Sequence, residues 1–238
     1  MSAGQLATRQ SLLLSLAQRW QELPARPVLR VAVDGVDGAG KTTFADELAG
    51  LLRAQGRSVI RASVDGFHHT RAVRYRLGRT SPEGFYHDSY NYAALRSGLL
   101  DPLREGGTLR YRTAIFDVNT HQRLNLPMQQ AELGSILIVD GLFLHRPELR
   151  DVWDDSVFLR VDFAVSVPRG AARGPGYGSP DPDAESNRRY VEGNRLYFQE
   201  AQPEKWAGVV VDNTDLENPF ICTPAQPSTG IIRQVRPS

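Results

Sequence analysis

Short apolar runs alternate along this chain with longer stretches in which apolar residues recur every three or four positions. The runs are Val28 to Val33, Ser58 to Val64, Ile136 to Val139, Val157 to Val161 and Val209 to Val211. Their length and valine content fit strands of a buried parallel sheet. Ser11 to Trp20, about Lys41 to Ala54, Tyr90 to Leu100 and about Tyr190 to Ala201 carry the helical period. Asp88 or Ser89 can cap the third of these helices, and Asp101-Pro102 ends it. Pro24 and Pro27 break the chain before the first strand, and Gly56 stops the second helix. Thr108 to Phe116 alternates weakly and reads as extended. Strands and helices in this order predict an α/β fold, with a five-stranded parallel sheet and helices on both faces.

One strand-to-helix junction carries recognisable chemistry. Gly35-Val36-Asp37-Gly38-Ala39-Gly40-Lys41-Thr42 fits G-x-x-x-x-G-K-S/T, and Thr43 lies in the helix that follows. Its glycines let successive backbone N–H groups face inward, and the helix N-terminus adds partial positive charge. In such a cradle Lys41 reaches β- and γ-phosphates and the Thr42 hydroxyl sits on Mg²⁺. The pattern therefore predicts a P-loop NTPase fold that uses ATP and Mg²⁺.

Three strands end in the same dipeptide: Val33-Asp34-Gly35, Val64-Asp65-Gly66 and Val139-Asp140-Gly141. The carboxyl edge of an open α/β sheet is where ligands bind. Asp34 reads as a strand-ending turn. Asp65 and Asp140 read as functional, because a P-loop enzyme needs an acid near its metal. The Gly/Pro/Asp-rich stretch GAARGPGYGSPDPDAESNRRY, within about 165–190, reads as a lid. Thr70 to Glu83 carries Arg71, Arg74, Arg76 and Arg79 and reads as a mobile basic loop. A kinase domain over 1–218 is then followed by a tail, 219–238, whose Pro, Ser and Thr content predicts poor order.

Composition narrows the classes. The 238 residues carry 28 Lys plus Arg against 27 Asp plus Glu, so no net field recruits nucleic acid or a membrane. A single cysteine, Cys222, allows no internal disulfide and fits the cytoplasm. The apolar segment Ser11 to Ala17 is too short to span a bilayer. The expected partners are a small-molecule substrate and, as an open option, a second copy of the chain.

These residues resemble the uridine kinase, phosphoribulokinase and pantothenate kinase superfamily, and within it the uridine kinase branch. Besides the P-loop, Asp65-Gly66-Phe67-His68 is similar to the family's Asp-x-Phe-Tyr. Phe116-Asp117-Val118-Asn119-Thr120-His121-Gln122-Arg123 is similar to Tyr-Asp-Phe-x-x-His-x-Arg. Ile138 to Leu142 stands where the family has an apolar strand and Glu-Gly, and Asp162 to Gly174 runs in register with its lid start. The resemblance implies Asp65 as catalytic base and Arg169 and Arg173 as lid arginines. It also implies Phe116 and His121 as pyrimidine contacts and Asp88 as a ribose ligand. His68 would line the acceptor pocket, and Asp140 would join Thr42 at the metal. Departures fall at the acceptor end: Phe116 lacks the family tyrosine's hydroxyl, Val118 replaces an aromatic, and Arg173-Gly174 and Trp206-Ala207-Gly208 each lack an aspartate.

The implied activity is ATP-dependent phosphorylation of a small hydroxyl acceptor, the 5′-hydroxyl of uridine or cytidine, with another small metabolite of the superfamily as the alternative. Pantothenate kinase is an alternative, since Asp-Gly-Phe with a Ser-Tyr segment also resembles that branch. Thymidylate kinase shares a similar P-loop, but its Asp-Arg-aromatic motif is absent from this sequence. A nucleotide-binding regulatory protein without kinase activity is the reading from another class.

Overall fold

The computed structural model describes residues 8–174 and 178–222. The central sheet contains β1 (Val28–Gly35), β2 (Val59–Ser63), β3 (Ser135–Gly141), β4 (Asp155–Arg160), β5 (Val209–Asp212) and β6 (Phe220–Ile221). Their spatial order is β2-β3-β1-β4-β5-β6, parallel throughout except for the β5–β6 pair. The five parallel strands are those the apolar runs predict. β6 is an addition, because two residues are too few to show a period. It also places Phe220 and Ile221 in a strand within the expected tail. Residues 223–238 of that tail lie outside the described residues, as do 175–177 of the expected lid.

The burial of β1 and β3 follows from their central positions: every residue of β3 is buried. Successive side chains of β1 pass to opposite faces of the sheet. Val31 and Val33 pack with α1 (Arg9–Glu22) and α2 (Lys41–Ala54), while Ala32 joins the other core. That second core holds Phe85 and Tyr86 of α3 (Pro82–Asp88), Phe143, and Tyr197 of the later helix α5 (Glu185–Ala201). Between β4 and α5 lies α4 (Phe163–Ala171). Among the described residues no helix is long and apolar enough to cross a membrane.

Several local expectations change. The basic stretch after Thr70 is no open loop: Arg71–Arg74 makes a helical turn, and Ser81 caps α3 by accepting a hydrogen bond from Gly84 N. Buried Arg74 donates to the carbonyl of His69 at 3.1 Å. The helix expected from Tyr90 runs over residues 92–100 and is capped by Asn91, which accepts from Ala94 N at 3.0 Å. Asp88 and Ser89 belong instead to the end of α3. α4 and the first turns of α5 occupy much of the expected lid, and among the described residues its non-helical parts are 172–174 and 178–184.

A buried network ties these layers together at the end of β1. Asp34 accepts from Gly35 N at 2.7 Å, from Leu144 N at 3.1 Å and from His145 N at 3.2 Å. It also accepts from the Tyr197 hydroxyl of α5 and from His145 Nδ1 at 2.7 Å. His145 Nε2 lies 2.8 Å from Ser156 Oγ, which accepts from Gly208 N at 3.2 Å. Aspartate, histidine and serine in line resemble a hydrolytic triad, but all three are sealed from solvent and serve as a support. Asp34→Ala should remove about 3–5 kcal/mol of stability, because several buried donors lose their acceptor together. Urea denaturation followed by circular dichroism measures this; a midpoint equal to that of the parent would refute the network's role.

Candidate active site

The spatial order reverses at β1, between β3 on one side and β4 on the other, and the loop after β1 opens into that crevice. The loop needs glycine where it approaches other backbone closely. Gly38 has φ +75°, and a Cβ there would stand 2.0 Å from the carbonyl oxygen of Ser166 in α4. Gly40 has φ +87° and leads into α2 without a side-chain cap, leaving the first backbone N–H groups of the helix pointing outward. Lys41 Nζ donates to the carbonyl of Val36 at 2.7 Å and so lies back across the loop.

Thr42 and Asp140 meet as the sequence suggests. The register sets Asp140 opposite Val33 of β1 and Ser63 of β2. Thr42 Oγ1 donates to Asp140 Oδ2 at 2.7 Å. Arg61 of β2, which no motif in the sequence singles out, donates to Asp140 Oδ1 at 3.0 Å and to Asp46 at 2.8 Å. Both Asp140 oxygens are thus held. Hydroxyl and carboxylate form a hard oxygen pair suited to Mg²⁺, which takes one or two protein ligands and completes its shell with phosphate and water. Among the described residues no cluster of three or more acidic, histidine or cysteine side chains forms a metal cage.

A cleft of about 510 Å³ opens beside the loop. Asp37, Lys41, Thr42, Asp65, Asp140 and Arg173 all line it. Asp65 sits on a 3₁₀ turn at the end of β2, where Ser63 Oγ accepts from its backbone N–H at 3.3 Å. The Tyr90 hydroxyl donates to Asp65 Oδ1 at 3.1 Å. Burial, and then the nearby Asp65 charge, hold the Tyr90 phenol well above its ordinary value, so it remains a donor. His68 Nδ1 lies 2.9 Å from the carbonyl of Asp65 and is assigned its proton by that partner. Burial lowers the His68 pKa, while Asp65 pulls it the other way.

The remaining expected residues separate. Phe116 is buried and lines an adjoining pocket of about 300 Å³, which shares His68 with the cleft. His121 lines neither pocket; it is exposed, with φ +58° and Nδ1 3.4 Å from the Arg74 guanidinium. Asp88 is occupied by Arg76 through a two-pronged ion pair at 2.9 and 3.0 Å, away from the cleft lining. Arg169 also turns away. It donates to the carbonyls of Asn213, at 3.0 Å, and Thr214. Asn213 Nδ2 in turn donates to Ala39 O at 2.7 Å, so Arg169 braces the loop behind the cradle. Arg74, Tyr75, Arg189 and Tyr190 line the cleft without having been foreseen. Arg189 is buried, donating to the carbonyls of Ser81 and Arg74 with its guanidinium over Tyr75.

No family model and no curated protein matches the chain. Solved structures do. A protein from Bacillus stearothermophilus described as a possible uridine kinase superposes with a TM-score of 0.68 at 22% identity, over 84% of this chain and 97% of that one. One from Silicibacter sp. TM1040, provisionally described as a fructose transport system kinase, gives 0.63 at 24% identity, over 82% and 95%. A D-glycerate 3-kinase from Cryptococcus neoformans gives 0.51 at 14% identity, over 86% and 95%. At these identities the likeness shows the fold: an α/β architecture shared with uridine kinase-like and related P-loop kinases.

The position of His68 generates a titration test. Its imidazole should titrate below the ordinary value near 6.5, since burial disfavours the cation. Asp65→Asn should lower it further by removing a carboxylate charge that favours the cation. NMR titration of the ring protons reads both; a rise on Asp65→Asn would show that Asp65 does not favour the imidazolium.

Proposed function

We propose that this protein transfers the γ-phosphoryl group of ATP to a hydroxyl of a small molecule. One observation carries the reading: a single cleft gathers Lys41 and Thr42 of the cradle, two strand-end carboxylates, Asp65 and Asp140, and Arg173. In this scheme Asp65 accepts the proton of the acceptor hydroxyl as its oxygen bonds to phosphorus. The bond from that phosphorus to the bridging β-γ oxygen breaks, and ADP leaves. Lys41 and Arg173 offset charge on the phosphoryl oxygens in flight. Thr42 and Asp140 would hold Mg²⁺, which supplies Lewis-acid charge stabilisation. Arg173 and the start of α5, where Arg189 and Tyr190 line the cleft, act as the lid that keeps water from the phosphoryl group.

The acceptor reading is narrower. The pocket at Phe116 and His68 suits a flat ring and supports a nucleoside such as uridine or cytidine. Against it, His121 and Asp88 are engaged with Arg74 and Arg76. Their placement favours a second reading, a non-nucleoside hydroxyl compound. Coupled ADP release measured with uridine, cytidine, pantothenate, D-fructose, D-glycerate and glycerol decides between them. Tight ATP binding with no stimulation by any of these would favour a regulatory nucleotide-binding protein.

Three substitutions test the assigned roles. Lys41→Ala should cost about 3 kcal/mol or more of transition-state stabilisation, with the circular dichroism spectrum unchanged. Asp65→Asn should lower kcat by about 10²–10⁴-fold while both substrates still bind, as expected for loss of a general base. Asp140→Asn should instead raise the Mg²⁺ requirement. Rescue of Asp65→Asn, but not of Asp140→Asn, by added Mg²⁺ would reverse the two assignments.

A further inference from the structure

Asp37 is out of place in a purely phosphate-binding loop. Its neighbours in that loop offer backbone N–H groups to an anion, whereas Asp37 presents a carboxylate to the same cleft. Its surface is open to the cleft although protein crowds around it. That crowding raises its pKa; Lys41, Asn194 and Arg173 oppose the shift, and Asp65 adds to it. Asn194 Nδ2 of α5 donates to Asp37 Oδ2 at 3.3 Å, a long bond that leaves acceptor capacity on the carboxylate.

A second cavity of about 280 Å³ meets the cleft here. The two share Asp37, Gly38, Arg173 and Tyr190, and the second continues between α4 and α5. Ser166 lines it, and its hydroxyl is buried with no hydrogen-bond partner among the described residues. The Asn194 amide oxygen, beside Asp37, is likewise buried and unpartnered. Two such groups in one neighbourhood are uncommon, since buried polar atoms are almost always paired. Asp37 keeps acceptor capacity toward the cavity, and Ser166, which lines it, can both donate and accept. Hydroxyl groups match that pair, whereas an anionic group set directly against the Asp37 carboxylate would be repelled by it.

Resting on the phosphotransfer reading above, we infer that Asp37 is a specificity-determining residue for the acceptor, accepting a hydrogen bond from a second hydroxyl of a neutral polyol or sugar moiety. That moiety extends from the cleft into the cavity beneath α4 and α5, while the reacting hydroxyl faces Asp65. Asp37 thereby sets which hydroxyl is offered to the γ-phosphate, and contributes to acceptor rather than nucleotide recognition.

The test compares acceptors that differ by one hydroxyl: uridine with 2′- and 3′-deoxyuridine, and glycerol with 1,2-propanediol. The wild-type protein should prefer the fully hydroxylated member of a pair by about 10- to 100-fold in kcat/KM, the scale of a hydrogen bond to a charged group. Asp37→Ala should abolish that preference, mainly through acceptor KM, and leave KM for ATP unchanged. Asp37→Asn, which keeps a carbonyl acceptor, should restore part of it. An unchanged preference in Asp37→Ala, or a rise in KM for ATP in step with that for acceptor, overturns the inference alone. If wild-type protein releases no ADP with any of these probes or the wider panel above, the phosphotransfer reading fails and this inference falls with it.

Discussion

A carboxylate without access to water must find its donors inside the protein, and Asp34 at the end of β1 imposes that condition on three separate parts of the chain. The first is the start of the cradle, through Gly35 N. The second is the backbone leaving β3, through Leu144 and His145. The third is α5, through Tyr197, whose phenol is held well above its ordinary value by burial and by the Asp34 charge. Placing one residue correctly therefore sets the loop that would hold phosphate, the strand that brings Asp140, and the helix that carries Asn194 and Tyr190. Positions in the site are inherited from this buried junction.

The second constraint is contact between backbones. Gly38 lies so near Ser166 O that any side chain would separate the cradle from α4. Arg169, braced on Asn213 and Thr214, ties the far end of the same helix to the loop after β5. α4 is thus clamped along its length against elements that border the cradle. Arg173, just past the end of α4, is thereby held at the cleft.

Local pattern made the sheet, α1, α2 and the cradle legible, because strand length, helical period and a glycine-defined loop are properties of contiguous residues. Long-range pairing was hidden. Nothing in the sequence marks Arg61 as the partner of Asp140, 79 positions away, or Asn194 as the partner of Asp37, 157 positions away. The same blindness affected residues matched by motif. Asp88 and His121 sit in segments similar to the family pattern, yet Arg76 and Arg74 engage them, and neither arginine belongs to that pattern. Arg189 was hidden for another reason: a buried guanidinium needs carbonyls from α3's approach, and those come from a segment read as an open loop. The cradle is legible because contiguous backbone geometry defines it. The partners of Asp88 and His121 were not, because side chains from elsewhere define them.

Four aspartates at one sheet edge show how surroundings assign chemistry to a single residue type. Asp34 is enclosed and bonded on both oxygens, which leaves it out of reach of a ligand. Asp140 is buried but paired with Thr42 and Arg61, so its charge is fixed in place beside the first turn of α2. Asp65 is exposed to the cleft and receives a neutral phenol donor from Tyr90, which orients it without neutralising it. Asp37 shares the cleft but takes an amide donor from α5 and faces a cavity with unpartnered polar atoms. An open, oriented carboxylate is what the proposed general base requires, and Asp65 combines the two in the cleft. A held carboxylate beside a hydroxyl suits a cation, which is the Asp140 arrangement. A carboxylate with spare acceptor capacity beside an open cavity suits recognition of hydroxyls. The division of labour thus lies in the partners, and the partners come from elements the chain reaches only after it has folded.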